Sequence, residues 1–159
     1  MSKVLTIKQD LFFYHYKEDM EYYYDKYWGK DGNIMCIRNH PLAIFASDYV
    51  RMGNSILKDL DDHVFIRYEY DRYSSSPTVK NDTHKHNASK RIMDMVDSVK
   101  KFGYCKNKYD KLRHLIRVTV EVNDKYIPGK KVYVLKSRKH RASACCALGI
   151  NTIRVKVAK

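Results

Sequence analysis

The clearest alternation of apolar and polar positions lies in the C-terminal third of the chain. Residues 115–122 alternate valine or isoleucine with polar residues, and residues 152–157 do the same, which is the period of a half-buried strand. Between them, residues 132–135 form an apolar β-prone run, and the small residues of 142–148 favour a short helix that Gly149 ends. The pattern predicts strand, strand, helix, strand.

A longer helix is predicted before these strands. Asn87 or Ser89 is placed to cap it and Gly103 to end it, so the helix would span about 89–102. One face of this helix is predicted to be an apolar stripe, formed by Ile92, Met95, Val96, Val99 and Phe102.

The first 60 residues are predicted to be a helical extension. Aromatic residues at helical spacing across 10–28 predict an amphipathic helix that ends near Gly29 and packs its rings on the domain, although such rings also suit base stacking. Pro41 suits the first turn of a second helix, over 41–50.

The middle of the chain favours a strand and a loop. Residues 64–73 are β-prone, and in a strand Glu69 and Asp71 would share one face. Residues 74–87 are polar and rich in helix breakers, which predicts a mobile surface loop. We therefore expect one α+β domain over 1–159, a small mixed sheet with flanking helices.

The amino-acid composition indicates which classes of partner the protein could bind. The chain has 31 Lys and Arg against 18 Asp and Glu, a net charge of +13, so a polyanion is a natural partner, while solvated surface lysines are the alternative. No apolar run reaches the ~20 residues that span a bilayer, and no signal-peptide pattern begins the sequence. We expect a cytoplasmic protein without a membrane partner, whose four cysteines are buried thiols.

The densest basic cluster precedes the short C-terminal helix. A helix N-terminus attracts anions, and arginine side chains can bind a phosphate in a bidentate manner. The sequence therefore predicts a phosphate site, while a solvated basic turn is the alternative, and no metal site is expected. The predicted phosphate-binding residues are Ser137, Arg138, Lys139, His140, Arg141 and Ser143.

Two segments resemble the ParB N-terminal/sulfiredoxin-like domain family. The run from His140-Arg141-Ala-Ser-Ala to Leu148-Gly149, followed by Ile-x-Val, is similar to the family's basic turn, Ala-rich helix and closing strand. Upstream, the segment from Ile92 to Gly103, which ends in Ser98-Val-Lys-Lys-Phe-Gly103, is similar to the family's helix ending Ser-Ile-Lys-x-x-Gly. The resemblance covers about 88–157 and implies the same fold.

The chain departs from the family where the turn begins. The family has a glycine two residues before the histidine, and this chain has Arg138. Glycine takes a positive φ without strain, so Arg138 is expected to use another backbone geometry or a longer reach. Either side-chain charge holds the phosphate, or nucleotide binding is lost and the fold is kept.

The resemblance and the charge together imply three possible functions. The leading hypothesis is a DNA-associated protein that grips phosphates, with metal-dependent cleavage as one version of it. Catalysis would need an acidic residue from an earlier segment, and Glu69 and Asp71 are the candidates, with His140 and Mg²⁺. The alternatives are a nucleotide-dependent phosphotransferase, and a non-catalytic inhibitor of phage type that binds a host protein.

Overall fold

The computed structural model describes residues 3–8, 12–13, 36–72, 82–104, 115–122 and 127–158. The described strands form one mixed sheet: β1 (Lys3–Lys8), β2 (Phe12–Phe13), β3 (Ile116–Val122), β4 (Lys131–Ser137) and β5 (Thr152–Val157). The described α-helices are α1 (Pro41–Met52), α2 (Val64–Arg72), α3 (Asp82–Phe102) and α4 (Lys139–Ala147). The prediction of a mixed sheet with flanking helices is confirmed.

The order of the strands places the last one inside the sheet. The order is β1-β5-β3-β4-β2. Strand β5 pairs antiparallel with β1 and parallel with β3, while β4 pairs antiparallel with β3 and parallel with the two-residue β2. The β4–α4–β5 unit therefore crosses from one side of β3 to the other, and α4 begins where β4 ends.

One face of the sheet holds the main core. Residues that are directly paired across strands share a face, so Ile7 with Ile153 and Val118 with Leu135 point to the same side. All four helices bury apolar side chains in that cluster, including Phe45 of α1 and Ile92 of α3. Each such buried side chain stabilises the fold by about 1.5–3 kcal/mol relative to exposure.

Most predicted elements of the C-terminal half are confirmed. The strands β3, β4 and β5 and helix α4 lie where the pattern places them, and Gly149 ends α4 with a positive φ of 69°. Gly103 ends α3 with a φ of 77°, and its N–H donates to the carbonyl of Val99. In the N-terminal half, Pro41 occupies the first turn of α1 as predicted.

The strand predicted over 64–73 is wrong, because this segment forms helix α2. Phe65, Ile66 and Tyr68 are all buried, a spacing that fits one side of a helix and no side of a strand. His63 caps the helix, since its Nδ1 accepts the N–H of Phe65 at 3.0 Å. Packing and a cap therefore override the β propensity of these aromatic and branched residues.

The predictions around α3 and the N-terminus need correction too. Helix α3 already begins at Asp82, so the loop expected over 74–87 is wrong for its last six residues, and neither Asn87 nor Ser89 is a cap. Ser89 is buried inside the helix and donates to the carbonyl of Lys85 at 2.9 Å. Residues 74–81 lie outside the described residues.

The N-terminal extension is not wholly helical. Lys3–Lys8 and Phe12–Phe13 are strands of the sheet, so the helix predicted over 10–28 is wrong at its start, and its remainder lies outside the described residues. The apolar pattern also predicts three buried positions that are exposed: Val120 is 38% exposed, Val122 is 66% exposed and Phe102 is 50% exposed. Within the part of the chain that the structure describes, no helix has the length and apolar character needed to cross a membrane.

Candidate functional site

An open groove of about 560 Å³ lies between α3 and the beginning of α4. The wall from α3 consists of Arg91, Asp94, Met95 and Ser98. These positions follow the spacing i, i+3, i+4 and i+7, which places them on one face of a helix. Val96 and Val99, on another side of α3, are buried in the main core, and α3 packs against α4 and α1.

The opposite wall is the basic turn, Arg138 to Arg141. Strand β4 ends at Ser137, and the carbonyl of Arg138 accepts the N–H of Ala142 at 3.0 Å as the first turn of α4 closes. Ala142 and Ala144 of α4 are buried against the core, and their small side chains allow the helix to lie close to the sheet. The fold therefore fixes the turn at the edge of the sheet, facing α3.

Arg138 adopts the backbone conformation that glycine usually supplies. Its φ of 68° and ψ of 41° are left-handed, and it is the one non-glycine residue with positive φ in the described part of the chain. This conformation raises the energy of a residue with a Cβ by about 1–2 kcal/mol. Of the two alternatives expected for Arg138, another backbone geometry is therefore wrong, while a longer side-chain reach to the phosphate stays a prediction. The turn keeps the geometry that a glycine would allow and adds a guanidinium.

His140 lies in the groove as a neutral imidazole. Burial, together with the smaller effects of the nearby charges of Arg91 and Lys139, lowers its pKa from 6.5 to about 4. At neutral pH this ring can donate one hydrogen bond and accept another. A bound anion would offset the charges of Arg91 and Lys139 and make protonation of His140 easier.

The electrostatics of the groove favour an anion. Of the eight described residues that line the groove, four are cationic, namely Arg91, Arg138, Lys139 and Arg141, and Asp94 is the one carboxylate among those eight. Helix α4 points its N-terminus at the groove and receives no side-chain cap from Arg138. The first N–H groups of a helix have no partner within the helix, and they attract negative charge.

Two of the predicted phosphate-binding residues lie elsewhere. Ser143 is fully buried in α4, does not line the groove, and its hydroxyl has no hydrogen-bond partner in the described part of the chain. Ser137 lies just before the turn, paired with Arg117 of β3, and is also absent from the lining. The structure thus brings together Arg138, Lys139, His140 and Arg141.

Glu69, one of the two predicted acidic residues, does not meet the basic turn. Glu69 lies on α2, where its carboxylate is 3.8 Å from the Nε2 of His84, and it does not line the groove. Asp71 follows two positions later on the same helix. Helical positions two apart differ by about 200° around the axis, so the shared face expected for a strand is lost.

Sequence reasoning missed Arg91, Asp94 and Ser98 as site residues. Arg91 and Asp94 look like ordinary solvated positions of an amphipathic helix, and only the packing of α3 beside α4 makes them face the turn. The signal for Ser98 was present, because it lies in the upstream segment that resembles the ParB-like family.

The described residues contain no cluster that could hold a metal by itself. Among them, no group of three or more His, Cys, Asp or Glu side chains converges. Cys36 and Cys145 are buried thiols, as predicted, and Cys105 lies outside the described residues. Burial and nearby Cys36 raise the pKa of Cys146 to about 11, so its thiol is unreactive at neutral pH.

No protein-family model, curated protein sequence or solved structure matches this chain.

Proposed function

We propose that this chain is a DNA-associated protein that binds phosphate groups in the groove between α3 and α4. The observation that supports this most directly is the left-handed Arg138. A residue with a Cβ adopts a conformation that a glycine would adopt without strain, at the mouth of a cationic groove and before an uncapped helix N-terminus. Strained backbone conformations cluster at binding and active sites. They persist there only because the surrounding fold holds the residue in place.

We infer that the fold is of the ParB/sulfiredoxin-like type. The two segments that resemble this family supply the two walls of the groove: Ser98 comes from the upstream segment, and His140 and Arg141 come from the downstream one. Segments distant in sequence that resemble one family and meet at one groove support the resemblance more than either segment alone.

The groove residues have distinct roles in this proposal. Arg91 and Arg138 are exposed, so their guanidinium groups can bind phosphate oxygens from the two walls. His140 is neutral and can hold or transfer one proton at its imidazole. The backbone at the start of α4 adds a positive dipole end.

Cleavage of the bound DNA is the more specific version of this proposal. The resemblance implies Mg²⁺, and among the described residues that line the groove Asp94 is the one carboxylate. Mg²⁺ is commonly held by one or two carboxylates together with substrate phosphates, so this donor set fits an ion that arrives with its substrate. Asp94 would hold the ion, and the ion would stabilise charge that develops on the phosphate.

The test is anisotropy of a labelled DNA duplex at several salt concentrations, followed by a gel in the presence of Mg²⁺. Wild-type protein should bind more weakly as salt rises, with a log–log slope of about −0.9 per phosphate contacted. The double variant Arg91→Gln/Arg138→Asn should flatten the slope by about 1 to 2, whereas the exposed control Lys58→Gln/Lys100→Gln should not change it. Absence of binding at 50 mM salt would refute the proposal.

A nucleotide-dependent phosphotransferase is the second candidate. A volume of about 560 Å³ falls in the range that holds small ligands, and Asp94 faces a turn whose backbone keeps the glycine-like geometry. A nucleotide that binds only the folded protein would raise its melting temperature by mass action. A shift with millimolar ATP and Mg²⁺ that Asp94→Asn abolishes would favour this candidate over DNA binding.

A further inference from the structure

We propose that β1, β5 and the start of β3 form a second DNA-contacting surface on the face of the sheet opposite the helices, which binds the duplex backbone outside the groove. The β4 part of that face is not included, because Val132 and Val134 are buried there with Phe13 and Cys36. This inference rests on the proposed function, because it takes DNA as the partner. The strands β1, β5 and β3 present four cations on that face, and we call this set the basic face: Lys8, Arg117, Arg154 and Lys156.

The register of the sheet places these four residues together. Ile7 and Ile153 point into the helix-covered core, so Lys8 and Arg154, one position further along each strand, point to the other side. Arg117 and Lys156 are directly paired across β3 and β5. Three of the four side chains are exposed and Lys156 is half-buried, so the surface is accessible.

The basic face is electrostatically unfavourable without a partner. Like charges that are directly opposite on neighbouring strands destabilise a sheet, and Arg117 and Lys156 form such a pair. β1, β5 and the part of β3 that pairs with β5 contain no Asp or Glu, and in the described part of the chain no carboxylate forms a salt bridge with the four cations. An external anion would supply the missing negative charge.

The chemistry of the basic face favours a duplex backbone over single-stranded nucleic acid. Sheets that bind single strands stack bases on aromatic side chains. The described positions on this face of β1, β5 and β3 are Val, Thr, Lys, Arg and one Glu, with no aromatic residue among them. Such a surface can neutralise phosphates but cannot stack bases, so it would bind without sequence preference.

The basic face continues directly into the turn of the groove. Arg117 pairs with Ser137, the residue before Arg138. A DNA strand whose phosphate occupies the groove would therefore meet Arg117 next, and then Lys156 and Arg154 on the neighbouring strand. The two surfaces together would lengthen the footprint of the protein on one duplex.

The test compares two triple variants that each remove three positive charges. The first, Arg117→Gln/Arg154→Gln/Lys156→Gln, changes the basic face, and the matched control, Lys58→Gln/Lys100→Gln/Lys131→Gln, changes exposed lysines elsewhere. DNA affinity is measured by anisotropy between 50 and 200 mM salt. We expect the first variant to flatten the log–log salt slope by about 2 to 3 and the control by less than about 0.5.

Folding of the variants is checked by thermal melting. Since the glutamines relieve repulsion between Arg117 and Lys156, the basic-face variant should melt at or above the wild-type temperature at low salt. A melting temperature well below wild type would show that these residues serve the fold, and would overturn the inference.

The outcomes separate this inference from the proposed function. If the basic-face variant binds DNA like the control while the groove variant Arg91→Gln/Arg138→Asn loses affinity, the second surface is refuted and the groove stands. If wild type does not bind DNA at 50 mM salt, both fail. If both triple variants lose affinity equally, only net charge matters, and the basic face is refuted.

Discussion

The beginnings of α1 and α4 differ in how they treat the N–H groups of the first turn. At α1, His40 is buried and its Nδ1 accepts the N–H of Leu42 at 3.0 Å, so the helix is capped from within the protein. At α4, Arg138 is left-handed and gives no side-chain cap. The helix that supports the core is capped by the side chain of its N-cap residue, and the helix beside the groove receives no such cap from Arg138.

Helix α2 follows the pattern of α1, which makes α4 the exception among these three helices. His63 caps α2 with its Nδ1, and its Nε2 lies 2.9 Å from a carboxylate oxygen of Asp48. Both nitrogens of that ring therefore have partners within the protein. The difference shows that a helix N-terminus is a better indicator of a binding site when its N-cap side chain does not accept a hydrogen bond from the first turn.

The largest expected loss of stability comes from removing the side-chain cap of α1. His40→Ala would lose the hydrogen bond to Leu42 and leave a cavity beside Tyr68, whose ring meets His40 edge-on at 5.4 Å. We expect the free energy of unfolding to fall by about 2–4 kcal/mol, measured by urea denaturation. His40→Asn, which can still cap, should lose less, and equal losses for both variants would contradict the role of the cap.

The second effect is on the pH dependence of stability, through His140. Its pKa is about 4 in the folded protein and near 6.5 when exposed, so the unfolded chain binds the proton first as pH falls. This contribution to stability is fully present above pH 6.5 and is lost progressively as the pH falls to about 4. His140→Gln should therefore lose less stability than wild type between pH 6.5 and 4, as measured by urea denaturation at each pH.

A direct titration of His140 by NMR gives the control for that prediction. A measured pKa at or above 6 would contradict it. Addition of inorganic pyrophosphate should raise this pKa if the anion binds in the groove, since it offsets the charges of Arg91 and Lys139.

The smallest expected change in stability comes from relieving the backbone strain at Arg138. Arg138→Gly removes the Cβ from a left-handed position, and we expect a stability gain of about 0.5–1 kcal/mol after the greater freedom of glycine in the unfolded chain is included. Gly149 has a φ of 69° and open space around it, so Gly149→Ala should cost about 1 kcal/mol. A loss of stability in Arg138→Gly would mean that the arginine side chain stabilises the turn.

These predictions also show where sequence reasoning succeeds. The β4–α4–β5 unit was predictable because period-two strands, a run of small residues and a glycine stop are all local signals. The basic turn was predictable for the same reason. The left-handed state of Arg138 was not, because arginine has no local preference for it, and only the flanking strand and helix impose it.

The features that were predicted wrongly or missed from the sequence depend on contacts between distant segments. The aromatic residues of α2 favour a strand locally, and its burial against α1 and the cap from His63 decide otherwise. Asp94 was indistinguishable from the other exposed acidic residues of α3, because its position in the groove depends on where α4 packs. A helix face that lines a site and a helix face that is exposed to solvent carry the same kinds of residue, so residue composition does not distinguish them.

The position of β5 between β1 and β3 also sets the order in which the sheet can form during synthesis. Strand β1 is made before the other described strands, but its pairing partner β5 is the last of them. At about 5–20 residues per second, the roughly 140 residues between the two strands take roughly 7–30 seconds to be made. During that interval Leu5 and Ile7 lack their partner strand, so β1 is exposed to wrong pairing and to chaperones.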